Sequence, residues 1–125
     1  MSLKINRYIL DTNTIIKILS GKISLKDFIN DETFYIIVPG IVYLELLSKE
    51  MSAETLQSTQ DFLNDFELSE AGLHEYIVAA KLRRENKGLK TPDAIIAATS
   101  KTKQAILVTG DDLLLKIKDL NVLKI

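Results

Sequence analysis

Four acidic residues far apart in the chain stand where carboxylates can do chemistry: Asp11, Glu45, Asp93 and Asp111. Asp11 opens Asp11-Thr12-Asn13-Thr14 directly after the apolar run Tyr8-Ile9-Leu10. Glu45 sits among Val42, Tyr43, Leu44, Leu46 and Leu47, an apolar setting for a charge. Asp93 follows Pro92 and precedes Ala94-Ile95-Ile96-Ala97-Ala98; Asp111 follows Thr109-Gly110 and has a second acid, Asp112, beside it. Carboxylates gathered in a partly dry crevice repel one another, and their pKa values rise unless a cation neutralises the cluster. The chain has no Cys and a single His, His74, placed elsewhere, so the ligands would all be oxygen. That set favours Mg2+ or Mn2+ over Zn2+. An ion held this way suits phosphoryl chemistry: it acidifies a bound water, orients it in line and neutralises phosphate charge. The spacing leaves open whether one ion or two would bind.

Each acid also has a purely structural use. Asp11 and Asp93 are placed to cap helices or occupy their first turn. Glu45 could reach solvent from an amphipathic helix, and Gly110-Asp111-Asp112 reads as an ordinary turn. Their shared location raises the chemical reading. In open parallel sheets ligands bind outside the carboxyl ends of strands, where strand order reverses, and all four acids are expected at that end.

The elements that place them there are legible in the pattern. Tyr8–Leu10, Phe34–Val38 and Ala105–Val108 read as strands apolar on both faces, with Phe66–Leu68 and Val122–Ile125 as weaker ones. Between them, Ala53–Asn64 is helical, with Leu56, Phe62 and Leu63 on one face and Ser52 as its cap. A further helix carries an apolar face of Leu73, Tyr76, Ile77 and Ala80 and ends near Lys87-Gly88. Thr91 is placed to cap the next helix, with Pro92 first inside it. Alternating strands and helices predict an α/β fold, a three-layer α/β/α domain with a mostly parallel central sheet of four to five strands.

At 125 residues, with 46% hydrophobic and 26% charged, the chain matches one globular domain, residues 1–125, and not a disordered segment. Sixteen Lys and Arg against 17 Asp and Glu leave a net charge of −1, so any nucleic-acid contact depends on a local patch. The densest basic stretch is Lys81, Arg83, Arg84, Lys87 and Lys90, leading into Asp93. Arg83, Arg84, Lys87 and Lys90 are the candidate contacts to a nucleic-acid backbone, although a solvated helix face would look the same. No apolar run approaches a membrane span and the N-terminus lacks a signal-peptide stretch, so the expectation is a cytoplasmic protein with no membrane partner.

Four motifs in order, Tyr8-Ile-Leu-Asp-Thr-Asn-Thr-Ile-Ile16, Val38-Pro-Gly-Ile-Val-Tyr-Leu-Glu-Leu46, Pro92-Asp-Ala-Ile-Ile-Ala-Ala-Thr99 and Leu107-Val-Thr-Gly-Asp-Asp112, resemble the PIN-domain ribonucleases. The similarity is to the VapC-type toxins of prokaryotic toxin–antitoxin pairs, and it runs from about residue 7 to the C-terminus. The resemblance implies that Asp11, Glu45, Asp93 and Asp111 coordinate Mg2+ or Mn2+, directly or through water. It implies that Asn13 supports the first carboxylate by hydrogen bonding and that Thr109 supports the site from behind the ligands. It also implies endonucleolytic hydrolysis of RNA, a cognate antitoxin protein and a homodimer. Ile15–Leu19 and Ile41–Leu47 are apolar enough to supply an exposed patch for such partners, or simply to fill the core. Where the family usually has an aromatic residue, two after the last acid, Leu113 stands. Either Asp111 or Asp112 could reach the metal; the spacing favours Asp111.

Two other readings share features. A haloacid-dehalogenase-like phosphatase would use Asp11 as a covalent nucleophile, but Asn13 cannot supply its general acid, and Glu45 and Asp93 would have no role. A receiver-like signalling domain needs an acceptor Asp after its third strand, where Ser69-Glu70-Ala71-Gly72 offers none. A PIN fold acting only as a non-catalytic binding module is the remaining alternative; the complete set of acids argues against it.

Overall fold

The computed structural model describes residues 4–125. Five strands form one sheet: β1 (Asn6–Leu10), β2 (Phe34–Pro39), β3 (Glu67–Ser69), β4 (Ile106–Thr109) and β5 (Val122–Lys124). Their order is β3-β2-β1-β4-β5 and every pairing is parallel. Six helices cover it: α1 (Thr12–Leu19), α2 (Gly40–Leu47), α3 (Ala53–Asn64), α4 (Leu73–Glu85), α5 (Thr91–Thr102) and α6 (Asp112–Leu115). This is the three-layer α/β/α arrangement expected, with all five strands present and none antiparallel.

The apolar runs explain the layering. Tyr8, Ile9 and Leu10 are consecutive and all buried, as are Ile36, Ile37 and Val38 on the neighbouring strand. Strands buried on both faces need helices on both sides. The chain passes from β1 outward through β2 to β3, then returns to place β4 on the other side of β1. The strand order therefore reverses between β1 and β4, whose register pairs Leu10 with Val108. A crevice opens at the carboxyl ends of such a pair.

Helix boundaries follow local signals with small shifts. Ser52 caps α3 by accepting from the Thr55 amide, as its position predicts. Lys90, not Thr91, is the N-cap of α5, so Thr91 lies inside the helix ahead of Pro92. Gly88, which ends the turn after α4, has φ +86°, a conformation glycine adopts without the steric cost a side chain meets. Ala94, Ile96, Ala97, Ala98, Thr99 and Ser100 of α5 are all buried. Its two buried hydroxyls are satisfied within the helix, by the Ile95 and Ile96 carbonyls.

One expectation about packing is reversed. The face Leu73, Tyr76, Ile77 does not enter the core: these residues are 75%, 51% and 59% exposed, and Ala80 is exposed too. α4 instead packs on α5 through Ala79 and Leu82. The small Ala79 allows two helices to approach closely, and that contact outweighs burying the bulkier stripe. Of the two early apolar segments, Ile15, Val42 and Leu46 fill the core, while Leu19 and Leu44 stay exposed. Among the described residues no helix is long and apolar enough to cross a membrane.

Candidate active site

Asp11 is the first residue past the central strand. Its amide donates to the Val108 carbonyl of β4, continuing the ladder one step, and its side chain is almost fully buried. One carboxylate oxygen, Oδ1, accepts from the Thr14 amide at 2.8 Å, capping α1. The other, Oδ2, accepts a short hydrogen bond from the Thr109 hydroxyl. Capping and site-building are thus one geometry and not competing explanations. Thr109 is buried at the end of β4, and its oxygen also accepts from the Asp111 amide at 3.0 Å. A single hydroxyl therefore ties the first acid to the backbone of the last. Thr14 adds a second tie, donating to the Val108 carbonyl at 3.0 Å.

Glu45 arrives on α2, which is anchored to α3 by the Tyr43 hydroxyl donating to the Leu63 carbonyl at 3.1 Å. Its Oε1 accepts from the Thr12 hydroxyl at 2.6 Å. Asp93 sits in the first turn of α5, half-buried. Asp111 caps α6, its Oδ1 accepting from the Leu113 amide at 2.8 Å. All four acids line one crevice of about 460 Å³, together with Thr12, Asn13, Ile16, Lys49, Gly88, Lys90 and Leu113. Asp112 is exposed and takes no part in its lining. Of the adjacent pair, Asp111 is the member that faces the other acids.

The electrostatics of the crevice register most clearly on Asp93. Burial pushes its carboxyl up to about 6, the negative charges of Asp111, Glu45 and Asp11 add to the rise, and the Lys90 ammonium opposes it. A hard divalent cation would remove that penalty, and the all-oxygen donor set matches one. Among the described residues no three or more His, Cys, Asp or Glu side chains stand close enough together to hold a metal ion between them as placed. The four carboxylates instead ring an open space. That suits an ion such as Mg2+, which keeps several waters and takes only one or two carboxylates directly.

Two roles differ from expectation. Asn13 lies exposed on the crevice wall, but the hydrogen bonds to Asp11 come from Thr14 and Thr109, because Asn13 follows the turn into α1 outward. Thr12, which spacing alone did not single out, is the residue that meets Glu45. Its only sequence signal is its place beside Asp11, and a partner 33 residues away cannot be read from local pattern.

The basic stretch adjoins the crevice. Arg83, Arg84, Lys87 and Lys90 line a shallow groove with Ala80, Gly88 and Leu89, and Gly88 and Lys90 belong to both spaces. Arg83 Nε donates to the Leu89 carbonyl at 3.0 Å, fixing the loop between α4 and α5. Lys81 points elsewhere, into a hollow with His74 and Glu85. A separate groove of about 350 Å³ lies between α2 and α4, lined by Pro39, Ile41, Leu44, Tyr76 and Ile95 among others.

Residues 8–120 match the family model described as PIN domain. No curated protein matches the chain significantly. Among solved structures, the fold is similar to that in a DNA-bound VapBC complex from Salmonella typhimurium, with a TM-score of 0.82 and 20% identity over 96% of this chain and 98% of that one. VapBC2 from Rickettsia felis, bound to a promoter DNA fragment, gives 0.80 and 23% over 95% and 98%. A toxin–antitoxin complex from Klebsiella pneumoniae gives 0.77 and 26% over 93% and 95%.

Proposed function

The chain belongs to the PIN domain family, and on that premise we propose that it is a Mg2+- or Mn2+-dependent endoribonuclease, the toxin of a VapC-type toxin–antitoxin pair. The observation that carries this reading is the meeting of four carboxylates, from segments as far apart as residues 11 and 111, around one open crevice at the switch point of the sheet. Membership of this family displaces the phosphatase and receiver readings.

Asp11, Glu45, Asp93 and Asp111 would hold the ion, which when bound supplies charge neutralisation at the phosphate and an acidified water for hydrolysis. The protein's own groups do the rest. Thr109 and the Thr14 amide orient Asp11 without help from an ion. Leu113 and Ile16 give the crevice an apolar edge. Arg84, Lys87 and Lys90 would take backbone phosphates on one side, since Arg83 is engaged with the Leu89 carbonyl and holds the loop they stand on. Phosphate contacts supply most nucleic-acid affinity without reading sequence.

Leu44 and Tyr76 line one groove, and with the exposed Leu68, Leu73 and Ile77 they support a protein partner, because exposed apolar patches mark interaction sites. An antitoxin and a second copy of the chain both fit this chemistry, and the VapBC complexes it resembles in fold contain an antitoxin.

The purified protein is expected to cleave RNA with Mg2+ or Mn2+ and to lose that activity in EDTA. Asp11→Asn and Asp93→Asn should abolish cleavage while leaving the circular dichroism spectrum unchanged. Cleavage by both variants at the parent's rate, or indifference to EDTA, overturns the proposal. Growth arrest on expression, relieved by the neighbouring open reading frame, tests the toxin role separately.

A further inference from the structure

Thr12 makes a contact that neither helix capping nor core packing asks for. It is the first residue of α1, yet the cap of that helix is Asp11, whose Oδ1 takes the Thr14 amide. The Thr12 hydroxyl instead donates to Glu45 Oε1 at 2.6 Å, bridging two helices across 33 residues. We propose that Thr12 is a positioning residue for Glu45, and through Glu45 for the divalent cation of the crevice; this rests on the metal-dependent reading above.

The chemistry of the pair points that way. A glutamate side chain has three torsions to lose on ordering, whereas a β-branched threonine is already restricted at χ1. A stiff donor therefore holds a floppy acceptor. A carboxylate has no proton to give, so the hydroxyl must be the donor, and a hydroxyl on an ionised acceptor makes a short, strong bond. Thr12 satisfies one oxygen of Glu45, and the Glu45 side chain lines the crevice with the other three acids.

Adjacent residues thus set two of the four acids. Asp11 contributes its own carboxylate, and Thr12 places a second one from another helix. Both stand on a turn clamped to β4 by the Asp11 amide and the Thr14 hydroxyl, each donating to the Val108 carbonyl. The relative placement of Asp11 and Glu45 is then a property of one backbone turn. A contact that merely stitched α1 to α2 would have the same geometry but a different consequence: it would be felt in stability and not in cation affinity.

Mn2+ titration by calorimetry separates the two, using the whole protein, its T12V, T12S and E45Q variants and the T12V/E45Q pair. Thermal melts in EDTA accompany each titration. T12V is expected to weaken Mn2+ binding about tenfold or more, the range typical of groups that orient metal ligands. T12S keeps the hydroxyl and should stay within about twofold of wild type. In the E45Q background T12V should add nothing. Cleavage at saturating Mn2+ should recover most of its rate in T12V, since the loss lies in holding the ion.

Wild-type affinity in T12V alongside a loss in E45Q overturns the role of Thr12 and leaves the metal centre standing. A lowered melting temperature with unchanged Mn2+ affinity also overturns it, in favour of the stitch, and so does an additive loss in the double variant. Failure of the wild-type protein to bind Mn2+ removes both readings. Should T12V not fold, T12A carries the same comparisons.

Discussion

With no cation bound, the crevice should work against the fold, and Asp93→Asn measures by how much. Burial and the neighbouring acids raise the Asp93 carboxyl from 3.8 to about 6. Each pKa unit corresponds to about 1.4 kcal/mol, so the full shift has an upper bound of about 3 kcal/mol. Asp93 is only half-buried, and solvent screening reduces that to about 1–2 kcal/mol. An aspartate in the first turn of α5 also gains roughly 0.3–1 kcal/mol from the helix N-terminus, which Asn forgoes. The net expectation is a metal-free D93N protein more stable than wild type by about 1 kcal/mol, or about 4 °C in melting temperature for a domain of this size. The sign follows from proton linkage: an acid whose folded pKa is raised binds more protons in the folded state, so stability falls as pH rises. The two proteins should therefore melt together below about pH 4. The gap should open between pH 4 and 6 and be complete above 6. Differential scanning calorimetry in EDTA at pH 4 and pH 7.5 makes the measurement. Adding Mg2+ at pH 7.5 should raise wild type more than the variant. A D93N protein that melts no higher than wild type at pH 7.5 in EDTA, or a gap that does not depend on pH, refutes the electrostatic reasoning.

Three further outcomes are expected. Thr109→Val strands the buried Oδ2 of Asp11 and should lower stability by about 1.5–3 kcal/mol in urea unfolding, with weaker Mn2+ binding in calorimetry. Arg84→Glu and Lys87→Glu should weaken RNA binding similarly across sequences and flatten its salt dependence by about one unit for each phosphate interaction removed, read by fluorescence anisotropy in a catalytically inactive background. Ile96→Ala, in the fully buried centre of α5, should cost about 2–5 kcal/mol and leave Mn2+ affinity per folded molecule unchanged.

The main features of the fold were legible because they depend on short-range pattern. Strands buried on both faces appear as unbroken apolar runs, and each of the acids Asp11 and Asp111 follows one of them within three residues. Their meeting needed one further fact, the neighbouring of β1 and β4, which the parallel α/β pattern permits but does not dictate. What stayed hidden was tertiary choice. The stripe Leu73, Tyr76, Ile77 has the period of a core face, yet α4 turns Ala79 and Leu82 inward because close helix contact wins. The same holds for Asn13 and Thr12. Only the direction in which α1 leaves the turn decides that Thr12 reaches across to Glu45 while Asn13 lies exposed on the crevice wall.

The position of β1 between β2 and β4 has a consequence for the cell that makes this protein. A ribosome delivers Asp11 and Glu45 early, but the strand that completes the pocket wall, and the last acid after it, are polymerised only when nearly all of the described chain has been made. A chain stopped before β4 carries Asp11, Glu45 and, once α5 is made, Asp93, but its central strand β1 is paired with β2 alone and the crevice lacks its second wall and its last acid.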